Sequence, residues 1–159
     1  MQFFCYTHIM KIHIGTDHAG FELKEKLAAY LTEKGHEIVD HGAFTLNPAD
    51  DYPDFIKPVA AAVASDPESR GVILGGSGQG EAMCANRHQG VRATVYYGGD
   101  VAMVQVSREH NNANILSLGA RFVTEHEAIT AVHMFLSTDF SHDERHVRRI
   151  EKWYDETTL

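Results

Sequence analysis

The chain has 159 residues, 43% of them hydrophobic, so it is long enough for one well-buried core and too short for two ordinary domains. Its formal net charge of −8 argues against general nucleic-acid binding, which needs a basic surface, so an anionic ligand would require a local cluster of cations. The two cysteines form no disulfide framework, which favours a cytoplasmic location. No apolar run is long enough to span a membrane, so we expect no membrane partner.

The first nine residues lack the basic start and long apolar centre of a signal peptide. Met10 followed by Lys11 resembles an alternative beginning of the chain. We therefore expect residues 1–9 to be an extension, either disordered or a start-site artefact, and residues 10–159 to form a single domain.

Strand and helix patterns alternate along the remainder of the chain. Strands are predicted at residues 10–16, 36–39, 71–74, 91–96 and 113–118. Helices are predicted at residues 21–31, 53–65, 81–86, 100–108, 124–137 and about 141–154. This alternation predicts an α/β fold, a Rossmann-like three-layer αβα sandwich with a five-stranded parallel sheet and a site at the carboxyl ends of the strands.

A glycine-dense segment, residues 75–80, joins the third strand to a helix near Glu81. Glycines let the backbone approach a ligand closely, so several amides can converge on one anion at the helix N-terminus. A carboxylate beside such a cradle is placed to move a proton, although Glu81 could instead only complement the helix dipole. The glycine spacing fits neither a dinucleotide fingerprint nor a P-loop.

Two other polar segments follow or precede strands. Asp17 and His18 follow the first strand, where they could bind sugar hydroxyls or transfer protons, although a turn-forming aspartate and a surface histidine would look the same. His110 and Asn111 lie in a polar stretch that suits a polyhydroxylated substrate, and a helix C-terminus would explain the same residues.

The last predicted helix carries cationic side chains. Arg145 and Arg149 are four residues apart and share a face, which suits a phosphate, although a solvated face is the alternative. His142 and His146 have the spacing of zinc ligands, but no glutamate follows His142 as in a His-Glu-x-x-His helix. Cys84 could be a nucleophile, but its apolar neighbours favour a buried small hydrophobe.

Five motifs together resemble type B ribose-5-phosphate isomerase, in the superfamily that includes the galactose-6-phosphate isomerase subunits. They are residues 17–20 (Asp-His-Ala-Gly), 51–53 (Asp-Tyr-Pro), 75–81 (Gly-Gly-Ser-Gly-Gln-Gly-Glu), 109–112 (Glu-His-Asn-Asn) and 145–149 (Arg-His-Val-Arg-Arg). The resemblance implies a cofactor-free, metal-free aldose–ketose isomerase that interconverts ribose 5-phosphate and ribulose 5-phosphate through an enediol. It also implies a homodimer or a dimer of dimers with shared active sites, and a place in non-oxidative pentose phosphate metabolism.

The resemblance assigns roles to individual positions. The implied catalytic residues are Asp17, Ser77, Glu81 and His110. The implied substrate-binding residues are His18, Gly76, Gly78, Gly80, Asn111, Arg121, Arg145 and Arg149. In this assignment the backbone of the glycine loop forms the anion hole, and Asp17 and His110 assist ring opening. His18 and the three arginines bind phosphate, with the last helix contributed by the other subunit.

The resemblance also identifies the base. One branch of the family uses a cysteine, and the corresponding residue here is Gly75, so the chain resembles the branch in which the glutamate, here Glu81, acts. Moving a proton between adjacent sugar carbons requires a base and stabilisation of an enediolate oxygen, which a glutamate and a backbone cradle can supply.

Two alternatives remain open at this point. Pocket length would set the substrate, so allose 6-phosphate, galactose 6-phosphate or a tetrose phosphate could replace the pentose. A flavodoxin-like nucleotide-binding or signalling module could have the same strand and helix pattern. The candidate catalytic carboxylate and phosphate ligands weigh against that second reading.

Overall fold

The computed structural model describes residues 8–155, which form a five-stranded parallel sheet with helices on both faces. The strands are β1 (Lys11–Thr16), β2 (Glu37–Asp40), β3 (Arg70–Gly75), β4 (Ala93–Tyr96) and β5 (Ile115–Gly119). The helices are α1 (Phe21–Glu33), α2 (Pro53–Ser65), α3 (Gln79–Ala85), α4 (Ala102–Asn111), α5 (Glu125–Ser137) and α6 (Glu144–Glu151). The predicted α/β fold is therefore confirmed.

The order of the strands creates a crevice at the carboxyl ends of β1 and β3. The spatial order is β2-β1-β3-β5-β4, so the chain leaves β1 toward one side and later returns to its other side as β3. Thr16 of β1 pairs with Leu74 of β3, and the loops that follow these strands emerge side by side. Such a reversal of direction is where open α/β sheets bind ligands.

Side chains of β3, the central strand, point alternately into hydrophobic cores on the two faces of the sheet. Val72 and Leu74 pack with α1, α4 and α5 on one face, while Ile73 packs with α2 and α3 on the other. All three are fully buried, which explains why the strand reads as a continuous apolar run instead of an alternating one. The central strand therefore holds its following loop on a rigid base.

A buried lysine fixes the segment that follows β2. Lys24 is fully buried, and its ammonium lies 2.7 and 2.9 Å from the two carboxylate oxygens of Asp40 and 2.8 Å from the carbonyl of Ala43. The amide of Thr16 donates to the carbonyl of Gly42 at 2.8 Å. These bonds tie the 40–43 segment to the end of β1, beside the crevice.

Several element boundaries differ from those predicted. Helix α4 continues to Asn111, and Asn112 then ends it in the left-handed conformation with φ of 47°. Helix α6 begins at Glu144 and not near residue 141, because the Asp143 side chain accepts a hydrogen bond from the Arg145 amide and caps it. The prediction of a helix start near residue 141 was therefore wrong.

The ends of the chain leave two expectations open. Residues 1–7 and 156–159 lie outside the described residues, so the extension at residues 1–9 and the domain limits at 10–159 remain predictions. Among residues 8–155, no helix combines the length and the apolar character needed to span a membrane.

Candidate active site

Glu81 lies in the first turn of α3, at the carboxyl end of β3, and only 5% of its surface is exposed. Its carboxylate folds back onto Gly75, where an added Cβ would overlap it. Burial raises the pKa of the Glu81 carboxyl above its ordinary value, and the charge of Asp17 raises it further, while the Glu81 amide opposes the rise. A buried carboxylate with a raised pKa is suited to abstracting and returning a proton near neutral pH.

The glycine loop presents backbone amides beside this carboxylate. Gly78 precedes the helix with φ of 76°, a conformation that favours glycine. The amides of Ser77 and Gly78 donate to no other residue in the described part of the chain. Arg121 lies over the loop, since its amide donates to the Gly76 carbonyl at 3.1 Å and a Cβ on Gly76 would lie 3.2 Å from its Nη1. The loop and Arg121 together form a cradle for anionic oxygens.

Tyr52 is a neighbour of this loop that the sequence analysis did not assign. A Cβ on Gly80 would lie 2.9 Å from its hydroxyl oxygen, so the tyrosine closes one side of the cradle. Its signal in the sequence was its membership of the motif at residues 51–53.

Asp50 is a second residue that the sequence analysis missed. Its Oδ1 accepts the amide of His18 at 3.0 Å and lies 2.7 Å from His18 Nδ1. Its Oδ2 is buried without a hydrogen-bond partner. The aspartate therefore orients the imidazole of His18, leaving its Nε2 for a ligand. Asp17 is fixed on the same turn, because its Oδ1 accepts the Ala19 amide at 2.9 Å.

These side chains also form a group that could hold a metal ion. Asp17, His18 and Asp50 each offer a ligand atom, and the three atoms lie within 4.8 Å of one another. Two carboxylates and an imidazole suit a divalent cation. The expectation that the protein works without a metal therefore remains a prediction.

The other histidine pair considered as a zinc site has a different arrangement. His142 precedes α6, and its ring packs 4.8 Å from that of Phe140. His146 is buried on the helix, with Nδ1 2.9 Å from the Ser141 hydroxyl. Because His142 lies before the start of α6, the two histidines do not have the i, i+4 helical arrangement that the spacing could have indicated.

A second group of candidate residues lies where α4 meets α6. The ring of His110 packs 4.2 Å from that of His146, and the Ser141 amide donates to the Glu109 carbonyl at 3.1 Å. Arg145 and Arg149 are both exposed on α6, which fits the prediction that they share one face of the helix. Burial and the charge of His110 lower the pKa of His146, so this contact is made by a neutral imidazole at neutral pH.

The residues around Glu81 and the residues where α4 meets α6 lie at opposite ends of the strands. The amide of Gly71 donates to the Asn114 carbonyl at 2.9 Å, which places the end of α4 at the amino end of β3. Glu81 lies against Gly75, which is four residues, or about 13 Å, further along β3 than Gly71. The chain brings together Asp17, His18, the glycine loop, Glu81 and Arg121. It holds His110, Asn111, Arg145 and Arg149 elsewhere.

Cys84 is a poor candidate nucleophile in this setting. Burial raises the pKa of its thiol, and the charge of Glu81 acts in the same direction, while Lys57 and Arg87 oppose them. A raised pKa keeps the group as an unreactive thiol at neutral pH.

Comparisons with known proteins identify the family to which the chain belongs. The family model of the Ribose/Galactose Isomerase family matches residues 12–153. Ribose-5-phosphate isomerase B of Mycolicibacterium paratuberculosis is 43% identical over 142 residues, which cover 89% of this chain and 88% of that protein. The Escherichia coli protein of the same name is 36% identical over 141 residues, covering 89% and 92% of the two chains.

Solved structures extend the similarity to three dimensions. A ribose 5-phosphate isomerase from Thermotoga maritima superposes with a TM-score of 0.85 at 43% identity, covering 91% of this chain and 97% of that one. Ribose-5-phosphate isomerase B from Mycoplasma genitalium, with bound ribulose-5-phosphate, gives a TM-score of 0.88 at 37% identity, covering 95% and 100%. The resemblance carried by the five motifs is thereby confirmed, and the chain belongs to the ribose/galactose isomerase family.

Proposed function

We propose that this chain is an aldose–ketose isomerase that interconverts ribose 5-phosphate and ribulose 5-phosphate. The observation that carries the proposal is the buried carboxylate of Glu81 beside the Ser77 and Gly78 amides, which donate to no residue among 8–155. The relatives named ribose-5-phosphate isomerase B, and the one solved with ribulose-5-phosphate, support this substrate class. Non-oxidative pentose phosphate metabolism in the cytoplasm is the setting that we propose.

The proton transfer follows from the position of Glu81. Its carboxylate removes the proton from C2 of the open-chain aldose, and the C2 electron pair forms the C1–C2 double bond of an enediolate. The amides of Ser77, Gly78 and Gly80 stabilise the negative charge that develops on O1. The hydroxyl proton of O2 then passes to O1, and as the C2–O2 bond becomes the ketone the enediol electron pair takes the proton from the protonated glutamate at C1. Atoms and electrons balance without an external acceptor.

Other residues of the crevice bind and open the sugar. Asp17 lies close enough to influence the Glu81 carboxyl and can accept a sugar hydroxyl. His18, held by Asp50, and Arg121, over the glycine loop, are the phosphate ligands that this edge can offer. Binding energy from the phosphate then positions the reacting carbons.

We further propose that two copies of the chain complete each site. His110 and Asn111 end α4, which finishes at the amino end of β3, and α6 with Arg145 and Arg149 packs against them, whereas Glu81 lies at the carboxyl end of β3. A symmetric dimer brings the amino edge of one subunit against the crevice of the other and makes two equivalent sites. In such a dimer, His110 shuttles the ring-opening proton, and the two arginines bind phosphate across the interface.

The direct test is incubation of purified, metal-stripped protein with ribose 5-phosphate, followed by detection of ketose. Formation of ribulose 5-phosphate is expected. A flavodoxin-like binding module would form no ketose, and that result would exclude the isomerase. Because the matched family model covers galactose as well as ribose isomerases, galactose 6-phosphate, allose 6-phosphate and a tetrose phosphate belong in the same panel. Faster turnover of one of these would move the proposal to that sugar.

A further inference from the structure

A separate cavity of about 700 Å³ opens at the amino end of the sheet, away from Glu81. Three arginines line it: Arg70 at the start of β3, Arg92 just before β4, and Arg108 on α4. Val63 and Ala64 of α2 form part of an apolar wall. None of the three arginines belongs to the candidate active site.

Backbone and amide oxygens hold these guanidinium groups in place. Asn112 lies between two of them, because its carbonyl accepts from Arg92 Nε at 2.7 Å and its Oδ1 accepts from Arg108 Nη1 at 3.0 Å. Arg70 Nη1 donates to the Ser69 carbonyl at 2.8 Å. The Nη2 group of each arginine donates to no residue in the 8–155 range, and none of these groups is a buried atom without a partner. One edge of each guanidinium therefore stays available to a ligand.

Two carboxylates, those of Glu68 and Asp139, also line the cavity, but neither forms an ion pair with one of its arginines. Within the described part of the chain, no carboxylate lies within 4 Å of Arg70, Arg92 or Arg108. Burial lowers the pKa of Arg108 to about 10, with Arg70 and Arg92 acting in the same direction. Exposed Asp139 partly offsets this effect. Three converging cations in a chain of net charge −8 are unfavourable unless an anion joins them.

We propose that this cavity binds a small phosphorylated ligand at a site distinct from the catalytic one. Guanidinium edges match phosphate oxygens in planar, paired hydrogen bonds, and three of them can surround one phosphoryl group. The volume is within the range of small-molecule sites, and the wall formed by Val63, Ala64 and Phe140 suits the organic part of such a ligand. This proposal does not rest on the isomerase assignment.

The test is calorimetric titration with pyrophosphate as the probe. The starting protein is the Arg145→Gln/Arg149→Gln variant, which removes two of the four proposed catalytic phosphate ligands, so that dependence on Arg70 identifies the cavity as the remaining site. We expect this variant to keep a pyrophosphate site, and addition of Arg70→Gln to weaken it at least about fivefold, since a charge-assisted contact is lost. Lys34→Gln, which removes one exposed cation at the end of α1, is the matched control and should change affinity less than about twofold.

A second variant keeps the proposal testable if Arg70→Gln fails to fold. Burial lowers the pKa of Arg70, and the charge of Glu68, which is exposed at the rim, partly offsets that shift. Glu68→Gln removes that competing anion and should tighten pyrophosphate binding about two- to threefold. Absence of pyrophosphate binding in the Arg145→Gln/Arg149→Gln variant would overturn the proposal. So would affinities that do not respond to Arg70→Gln or to Glu68→Gln.

Discussion

The carboxylate of Glu81 occupies the space beside the Cα of Gly75, so a side chain at position 75 and this conformation of the glutamate exclude each other. The resemblance implies a branch of the family in which a cysteine at the position of Gly75 is the base. On that assignment, the two branches would place their reactive groups in the same small volume. Because position 75 is a glycine, the side chain of Glu81 in the first turn of α3 can reach this volume.

The first prediction follows from this overlap. Gly75→Ala should lower the free energy of unfolding by about 1–3 kcal/mol, because the added methyl collides with the Glu81 carboxylate. Gly75 does not have a positive φ, so the backbone itself tolerates alanine. In a Glu81→Ala background the cost should fall by at least about 1 kcal/mol, because neighbouring residues couple. Urea denaturation of the four proteins measures this coupling, and strictly additive costs would contradict the overlap.

The second prediction concerns pH and stability. Burial raises the pKa of Glu81 above its ordinary value of 4.5, so the folded state holds the proton more tightly than the unfolded state does. The ionised carboxylate therefore costs stability above its folded pKa, and that cost shrinks on acidification and is gone below the unfolded pKa. Glu81→Gln should thus be more stable than the parent at pH 8, with the difference vanishing near pH 4.

Denaturant unfolding from pH 8 to pH 4 checks this trend. Glu33→Gln, an exposed carboxylate change at the end of α1, is the control and should run parallel to the parent. If acidification destabilises the parent relative to Glu81→Gln, the direction assigned to the Glu81 pKa is wrong.

Asp50 supplies the third prediction. Asp50→Ala removes the acceptor that fixes both the amide and the ring of His18. We expect KM for ribose 5-phosphate to rise about tenfold, in line with the loss of a charge-assisted hydrogen bond, with a smaller change in kcat. Asp51→Ala, the exposed neighbouring carboxylate, is the matched control. Equal effects at the two positions would show that Asp50 does not position His18.

Most of the fold could be predicted because its signals are local. The apolar run that forms β3 and the glycine-dense turn after it identify a buried strand, a loop and a helix, and Glu81 lies where that pattern indicated. The end of α4 was less predictable. His110 and Asn111 are weak helix formers, and tertiary bonds hold the last turn, including Arg108 Nε to the Thr138 carbonyl at 3.0 Å.

The parts of the site that escaped prediction depend on distant contacts. Asp50 lies in a segment without periodicity, and its partner His18 is 32 residues away. Arg70, Arg92 and Arg108 are separated in sequence, and they converge because β3 and β4 start, and α4 ends, at the same end of the sheet. Spacing along the chain carries no signal for either arrangement.

The fourth prediction tests the shared site. Arg145→Ala and Glu81→Gln chains should each be poorly active alone, for lack of a phosphate contact or of the base. Unfolding and refolding them together should restore activity, because a mixed dimer holds about one intact site in two. Sites built within one chain would gain nothing from mixing, and that result would exclude the subunit-shared arrangement.

The central claim is that Glu81 is the base, and the most direct measurement is turnover of ribose 5-phosphate together with exchange of its C2 proton in Glu81→Gln. This change keeps the size of the side chain and removes its basicity. We expect kcat to fall at least about 10²–10⁴-fold, with proton exchange falling in parallel and KM changing far less. Cys84→Ala should stay within a few-fold of the parent. Normal turnover and exchange in Glu81→Gln, with an inactive Cys84→Ala, would contradict the account.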